Sequence, residues 1–339
     1  MAADRTLDTS QRQRILVLGA TGTIGQAAVK SLLREGHEVV CLIRAKAGVN
    51  GKLAMQDWQA RLPGAIFRTG DVTDLRSLTQ DGFAGEHFDT VMSCLASRTG
   101  NPKDAWAIDY AAHMLALQVA QASRVKHFVL LSAICVQKPL LTFQQAKLKF
   151  EDALIKSGMG YAIVRPTAFF KSLCGQIERV KKGKSFLLFG NGQLTACKPI
   201  SDQDLGNFLA QCVSNPSLHN RILPIGGPGP AITPLQQGEY LFSLLGKPPK
   251  YSHVPVKMMD LIIGALSLLG HVVPTCANKA ELARIGRYYA TESMLVWDSA
   301  KNRYDADATP STGHETLWDC YQDLVSGKRD LERGDHAVF

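Results

Sequence analysis

The stretch Arg14-Ile-Leu-Val-Leu-Gly-Ala-Thr-Gly-Thr-Ile-Gly25 restricts the fold of this 339-residue chain more than any other. Four apolar residues, Ile15 to Leu18, read as a buried parallel strand. Gly19, Gly22 and Gly25 follow at three-residue spacing, ahead of a helical run from Gln26 to Arg34. A chain leaving a strand this way directs backbone N–H groups and the positive end of a helix dipole to one point, which suits a pyrophosphate. Gly19 permits the tight turn, Gly22 lets the backbone approach the phosphates, and Gly25 lets the helix sit close on its strand. The pattern GxxGxxG, placed between a strand and a helix, predicts a dinucleotide site that also takes in Thr21, Thr23 and Ile24.

The next strand bears on which dinucleotide. His37 to Ile43 is apolar and ends in Arg44-Ala-Lys46. A carboxylate here would accept from ribose hydroxyls and repel a 2′-phosphate, whereas an arginine pairs with that phosphate in bidentate fashion. Arg44, with Lys46 beside it, therefore favours NADPH over NADH. A third strand, Ala65 to Gly70, runs into Asp71-Val72. Asp71 reads equally as a partner for the adenine amino group or as a turn cap, since Thr73 and Asp74 suit a helix start. The same placement assigns Val72, Cys94 and Pro166, each at a strand end, to the cofactor.

Strand and helix patterns alternate up to about Val164: Thr90 to Leu95, the helix Ala105 to Ser123, the strand His127 to Ser132, the helix Thr142 to Lys156 and the strand Tyr161 to Val164. This is the grammar of an α/β, Rossmann-like doubly wound parallel sheet. After Arg165-Pro166 the elements shorten and glycines and prolines multiply, as in Leu223-Pro-Ile-Gly-Gly-Pro-Gly-Pro230. The predicted organisation is a loose tail over 1–13, a cofactor-binding domain over 14–170 to which 200–213 returns a helix, and a smaller C-terminal substrate lobe from 171–199 and 214–339.

Eight scattered cysteines, with no CxxC pair and no Cys/His set at metal spacing, argue for free thiols and against a structural metal. The net charge of +8 fits an anionic ligand or a membrane surface, but no basic motif is interleaved with aromatics, which argues against nucleic acid. The polar N-terminus has no signal-peptide core, and its shortness points to a bacterial cytoplasm, with a chloroplast as the alternative for a eukaryotic source. Met258 to Val273 is nearly all apolar yet contains Asp260 and His271 and stops at Pro274. It is too short and interrupted to span a bilayer. A buried helix of the second lobe is the expectation, with a greasy substrate wall or a bilayer-touching surface as alternatives.

Chemistry centres on Phe143-Gln-Gln-Ala-Lys147, in the helix after Ser132. The glycine spacing and this segment resemble short-chain dehydrogenase/reductases, whose Tyr-x-x-x-Lys pair faces the nicotinamide. Lys147 stands at the lysine place and Phe143 at the tyrosine place. Phenylalanine cannot protonate an alkoxide, which counts against carbonyl chemistry. Reduction of a conjugated C=C bond leaves a delocalised carbanion instead, for which Lys147 is a candidate acid as well as a ribose ligand.

More extended runs narrow the resemblance: Phe128-Val-Leu-Leu-Ser-Ala-Ile-Cys-Val-Gln-Lys-Pro-Leu140, Ile163-Val-Arg-Pro-Thr-Ala-Phe-Phe-Lys-Ser-Leu173, Ala196-Cys-Lys-Pro-Ile-Ser-Asp-Gln-Asp-Leu205 and Ile285-Gly-Arg-Tyr-Tyr-Ala-Thr-Glu-Ser-Met294. From about Arg14 to Leu324 the chain resembles the divinyl chlorophyllide a 8-vinyl reductases, a branch of the atypical short-chain reductases beside the isoflavone-reductase-like and NmrA-like proteins. The resemblance implies NADPH-dependent reduction of the C8 vinyl group of divinyl chlorophyllide a, or of divinyl protochlorophyllide, to ethyl; peripheral contact with a photosynthetic membrane is an alternative the sequence leaves open. The family shares the missing tyrosine. Phe143, Phe169 and Phe170 are then candidates for the pocket wall, and Tyr288 and Tyr289 for reaching the pocket. Arg165 or Arg287 is a candidate for a substrate carboxylate, against a structural ion pair, and His113 or His271 for the chlorin magnesium, against simple packing. Rival readings are another ene or quinone reductase of the isoflavone-reductase-like group, and a non-catalytic NADP(H)-sensing regulator or assembly factor.

Overall fold

The computed structural model describes residues 12–45 and 53–330. Residues 1–11 of the tail predicted over 1–13, and Lys46, lie outside them. Seven parallel strands form the main sheet in the order β3-β2-β1-β4-β5-β6-β8: β1 Arg14–Leu18, β2 Glu38–Ile43, β3 Ile66–Thr69, β4 Thr90–Ser93, β5 His127–Leu131, β6 Gly160–Pro166 and β8 Arg221–Ile225. Chain order reverses between β1 and β4, where open α/β sheets leave a crevice at the carboxyl edge.

Continuous apolar runs make these strands because both faces are covered. Side chains alternate across the sheet with a period of two. Ile15, Val17, Val39, Cys41 and Val129 face one core, while Leu16, Leu18, Val40, Leu42, Phe128 and Leu130 face the other. Numbering helices of seven or more residues in chain order, α1 (Thr23–Arg34) and α5 (Asp202–Ser214) share the first core. They approach closely: a Cβ on Gly206 would stand 2.6 Å from the Ala27 carbonyl carbon, and Ser31 Oγ donates to Asn207 Oδ1 at 2.8 Å. Helix α2 (Met55–Arg61) buries Trp58 there too, and α3 (His113–Ala122) and α4 (Thr142–Lys156) cover the opposite face.

A separate core gathers Phe170, Cys174, Phe186, Leu241, Tyr288 and Tyr321. Around it stand β7 (Phe186–Phe189), paired in parallel with β9 (Tyr251–Val254), and α6 (Pro234–Leu244), α8 (Pro274–Thr291) and α9 (Leu317–Ser326).

Three expectations need revision. Arg221–Ile225, read as part of the second lobe, is a strand of the main sheet, paired in parallel with β6. Its proline hid it, since Pro224 is tolerated because β8 is an edge strand. The helix read as Ala105 to Ser123 starts at Pro102 and passes through a π-helical stretch, Trp106–Ala112, before α3. The apolar helix read as buried, α7 (Val256–Gly270), buries none of its residues.

Candidate active site

The turn from β1 into α1 is shaped by its glycines. Gly19 has φ +79°, and a Cβ on it would lie 2.7 Å from the Cys94 carbonyl at the end of β4. A Cβ on Gly25 would collide with the Gly19 carbonyl, so this glycine lets α1 start directly behind the turn. Gly22 meets only ordinary contact within the protein, at 3.4 Å from Gly19 O. Its open side is the approach left to a ligand. Gly22 is the N-cap, no side chain caps the helix, and no acidic residue lies in the first turn. The first-turn N–H groups are therefore available to an anion. Thr21 and Thr23 are half-buried at this mouth, whereas Ile24 packs its side chain into the core and offers only its N–H. Lys171 Nζ donates to Thr23 Oγ1 at 3.0 Å, which brings a cation to the same place.

At the other end of the crevice, Arg44 is exposed just past β2. Asp71 Oδ1 accepts from Thr73 N–H at 2.8 Å and Thr73 Oγ1 at 2.7 Å. These bonds, and more weakly the Arg44 charge, hold its carboxyl below the usual range. The turn-capping alternative thus occupies Oδ1. Asp74 is the N-cap, accepting from Arg76 N–H at 2.8 Å. Val72 is half-buried against the second face of the sheet. Cys94 N–H donates to Leu18 O at 2.8 Å, locking β4 to β1 at the switch point, and burial raises its thiol to about 12. Pro166 ends β6, in register with Ile225.

Across the switch point from Arg44, on the helix that follows β5, sits Lys147, 9% exposed on α4, with Nζ 3.0 Å from Oδ1 of Asp109. Asp109 is 1% exposed and belongs to the π-helical stretch, a distortion that often marks functional positions. Its Oδ1 also accepts from Ser97 N–H at 3.3 Å. Asp109 Oδ2 and Gln144 Nε2 are buried without a hydrogen-bond partner in the protein. A buried polar atom left unpaired costs about 1–3 kcal/mol. Asp109 Oδ2, on the residue paired with Lys147, is the one of the two that fits a hydroxyl group of a bound ribose. The amide oxygen of Gln144 is spent on Leu141 N–H, at 2.9 Å.

The neighbouring groups are committed to structure. His113 Nδ1 faces Ile108 O at 2.8 Å, so it carries the proton, and Nε2 accepts from Ser93 Oγ at 2.8 Å. Burial, reinforced by Lys147 and opposed by Asp109, lowers its pKa to about 4. With both ring nitrogens engaged it is not the magnesium ligand considered above, and His271 is exposed at the end of α7. Arg165 binds Glu151 through Nε at 3.2 Å and through Nη2, Ser132 Oγ donates to Glu151 as well, and Arg287 pairs with Asp260. Neither arginine is left for a substrate carboxylate.

Phe143 is half-buried against the second core; Phe169 is half-buried and bridges to Ile200; Phe170 is core, at 4% exposure. Phe170 is thus a packing residue rather than pocket wall. Tyr288 is buried, with its hydroxyl on Cys135 O at 2.9 Å and Lys138 O at 3.1 Å, which leaves it no proton to share. Tyr289 has an exposed ring edge, while its hydroxyl is buried beside Cys135, and burial drives that phenol's pKa well up. Asp109 and Lys171 were not singled out from sequence. The available signal for Asp109 was a carboxylate inside the helical run Trp-Ala-Ile-Asp-Tyr, ahead of Lys147 by far more than any local spacing.

A model of NAD(P)H-binding domains matches residues 19–216. The divinyl chlorophyllide a 8-vinyl-reductase of Cucumis sativus, a chloroplastic protein, is 50% identical over 332 residues, covering 96% of this chain and 79% of the relative. Its namesake from Arabidopsis thaliana is 48% identical, covering 95% and 79%. Among solved structures, the NADPH complex of the quinone oxidoreductase QOR2 from Escherichia coli superposes with a TM-score of 0.64 at 19% identity, over 92% of this chain and 99% of that one, a likeness of fold alone. A nucleotide-binding sheet edge, a lysine without its phenol and half of all residues shared along nearly the whole length lead to one assignment: the chain belongs to the divinyl chlorophyllide a 8-vinyl-reductase family.

Proposed function

We infer that the protein reduces the C8 vinyl group of divinyl chlorophyllide a to ethyl at the expense of NADPH. The observation that carries this reading is 50% identity sustained over 96% of the chain to a relative of that name. The cofactor, when bound, supplies the hydride. Gly19 to Gly25 would hold its pyrophosphate, Arg44 the 2′-phosphate, Lys147 and Asp109 the ribose beside the nicotinamide. Cys94 and Pro166 close the floor at the strand ends, and Val72 and Asp71 flank the adenine.

The chain's own contribution is positional. Asp109 holds Lys147 in place at 3.0 Å in a buried setting, and a fixed cation orients a ribose and stabilises negative charge spreading over a tetrapyrrole. Addition of hydride to one vinyl carbon and of a proton to the other completes the ethyl group, so no alkoxide forms and Phe143 can replace a phenol. We assign the lobe around the second core to the macrocycle, with Phe143, Phe169 and the ring edge of Tyr289 along its wall. In the same reading the protein works where that pigment is made, in a chloroplast or the cytoplasm of a photosynthetic bacterium.

The test is pigment absorbance during turnover with each nicotinamide. A blue shift of the Soret band with NADPH and little with NADH is expected. No shift with either cofactor overturns the reading, and equal rates overturn the role of Arg44. Parallel runs with divinyl protochlorophyllide rank the two substrates.

A further inference from the structure

Helix α7 is turned inside out. Its polar positions face its neighbour α8: Asp260 pairs with Arg287, Ser267 Oγ accepts from Arg284 Nη2 at 2.7 Å, and a Cβ on Gly270 would stand 3.0 Å from the Ala277 backbone. Its apolar positions, spaced by three and four, face outward. Leu261 is 74% exposed, Leu268 73% and Val272 85%, with Met258, Ile262 and Leu269 filling the stripe between them. A globular helix places such a stripe on its core, and contiguous exposed apolar surface of this kind marks an interaction site.

The charges around the stripe say what covers it. Residues 256–291 carry Lys257, Lys279, Arg284 and Arg287 against Asp260 and Glu281, four cations to two carboxylates. Both carboxylates are neutralised within the hairpin, Asp260 by Arg287 and Glu281 by Arg284 at 3.0 Å. The surplus is Lys257, one turn before Leu261 on the same face, and Lys279 on α8; both are exposed. An apolar stripe with a lysine at its start, on a hairpin of net positive charge, suits an anionic lipid surface. A second copy of the chain fits worse, because a two-fold pairing of this face brings together two hairpins of the same net positive charge. Spanning is not the mode: α7 has 15 residues, about 22 Å of helix, and no helix among the described residues is long and apolar enough to cross a membrane.

We propose that α7 seats the protein on an anionic membrane surface, lying in the headgroup plane. The hairpin is rooted at the site: Asn278 bonds Asn101, Ile285 packs on Gly100, and Tyr288 and Tyr289 adjoin Cys135. Seating α7 in lipid therefore sets the mouth of the site beside the bilayer, where an amphipathic macrocycle partitions. That corollary rests on the proposed function; the seating does not.

Co-sedimentation with vesicles tests it without any turnover. The protein is expected to bind vesicles of phosphatidylcholine with phosphatidylglycerol, to bind phosphatidylcholine alone more weakly, and to be released by salt. The double variant L268E/V272E should bind at least about tenfold more weakly, and Lys257→Glu about fivefold more weakly at low salt. All these side chains are exposed, so melting temperature and turnover of detergent-dispersed pigment should be unchanged, which separates loss of seating from loss of activity. Failure of the parent protein to bind any vesicle, or equal binding by L268E/V272E, overturns the proposal. A dimer in sedimentation equilibrium that L268E/V272E dissociates gives the face to a second copy and also overturns it.

Discussion

Replacing Lys147 with Ala removes one half of a buried ion pair and leaves the other in place. Asp109 keeps a 1% exposed carboxylate with one oxygen unpartnered and the other on a 3.3 Å bond from Ser97 N–H. Breaking such a pair from one side costs about 3–5 kcal/mol, because the remaining charge is neither solvated nor compensated. With an unfolding entropy near 2.1 cal/mol/K per residue, about 0.7 kcal/mol/K for a chain of this length, the melting temperature should fall by roughly 4–7 °C. The double variant K147A/D109A removes the orphaned charge too, and should recover at least about half of that loss. Activity should separate from stability: both variants lose turnover by about 100-fold or more, since neither positions the ribose. Differential scanning calorimetry read beside the pigment assay checks both. A double variant melting below K147A, or K147A with parental turnover, refutes the assignment of this pair.

Arg44→Ala should raise KM for NADPH about 10- to 100-fold, the value of a charge-assisted phosphate contact, and leave KM for NADH within about twofold; initial-rate kinetics with both cofactors decide it. Gly25→Ala should abolish nucleotide binding in a fluorescence titration while the second lobe stays folded, because its Cβ meets the Gly19 carbonyl. Burial lowers the pKa of His113 to about 4 from an unfolded value of 6.5. The folded state then holds fewer protons in that window, so the contribution is full above pH 6.5 and is lost as pH falls toward 4. About 3 kcal/mol of stability should disappear over that range by denaturant titration, and His113→Gln should flatten the slope.

The parts legible in the sequence are those whose cause is local. An apolar run flanked by Gly19, Gly22 and Gly25 makes a strand, a turn and a helix start from backbone sterics and dipoles alone, and β2 to β6 repeat the pattern. Lys147 was readable because its partner position, Phe143, lies one helical turn away. Asp109 was not, since its pairing with Lys147 joins two segments that meet only when β4 and β5 lie side by side.

Composition and spacing along the chain thus determined the sheet, the nucleotide loop and the lysine that serves it. Tertiary structure alone decided that Arg221–Ile225 closes the sheet, that His113, Arg165 and Arg287 are consumed by internal partners, and which face of α7 meets solvent. Periodicity shows that a helix has an apolar side. Only the packing of its polar side against α8 shows that the apolar side looks outward.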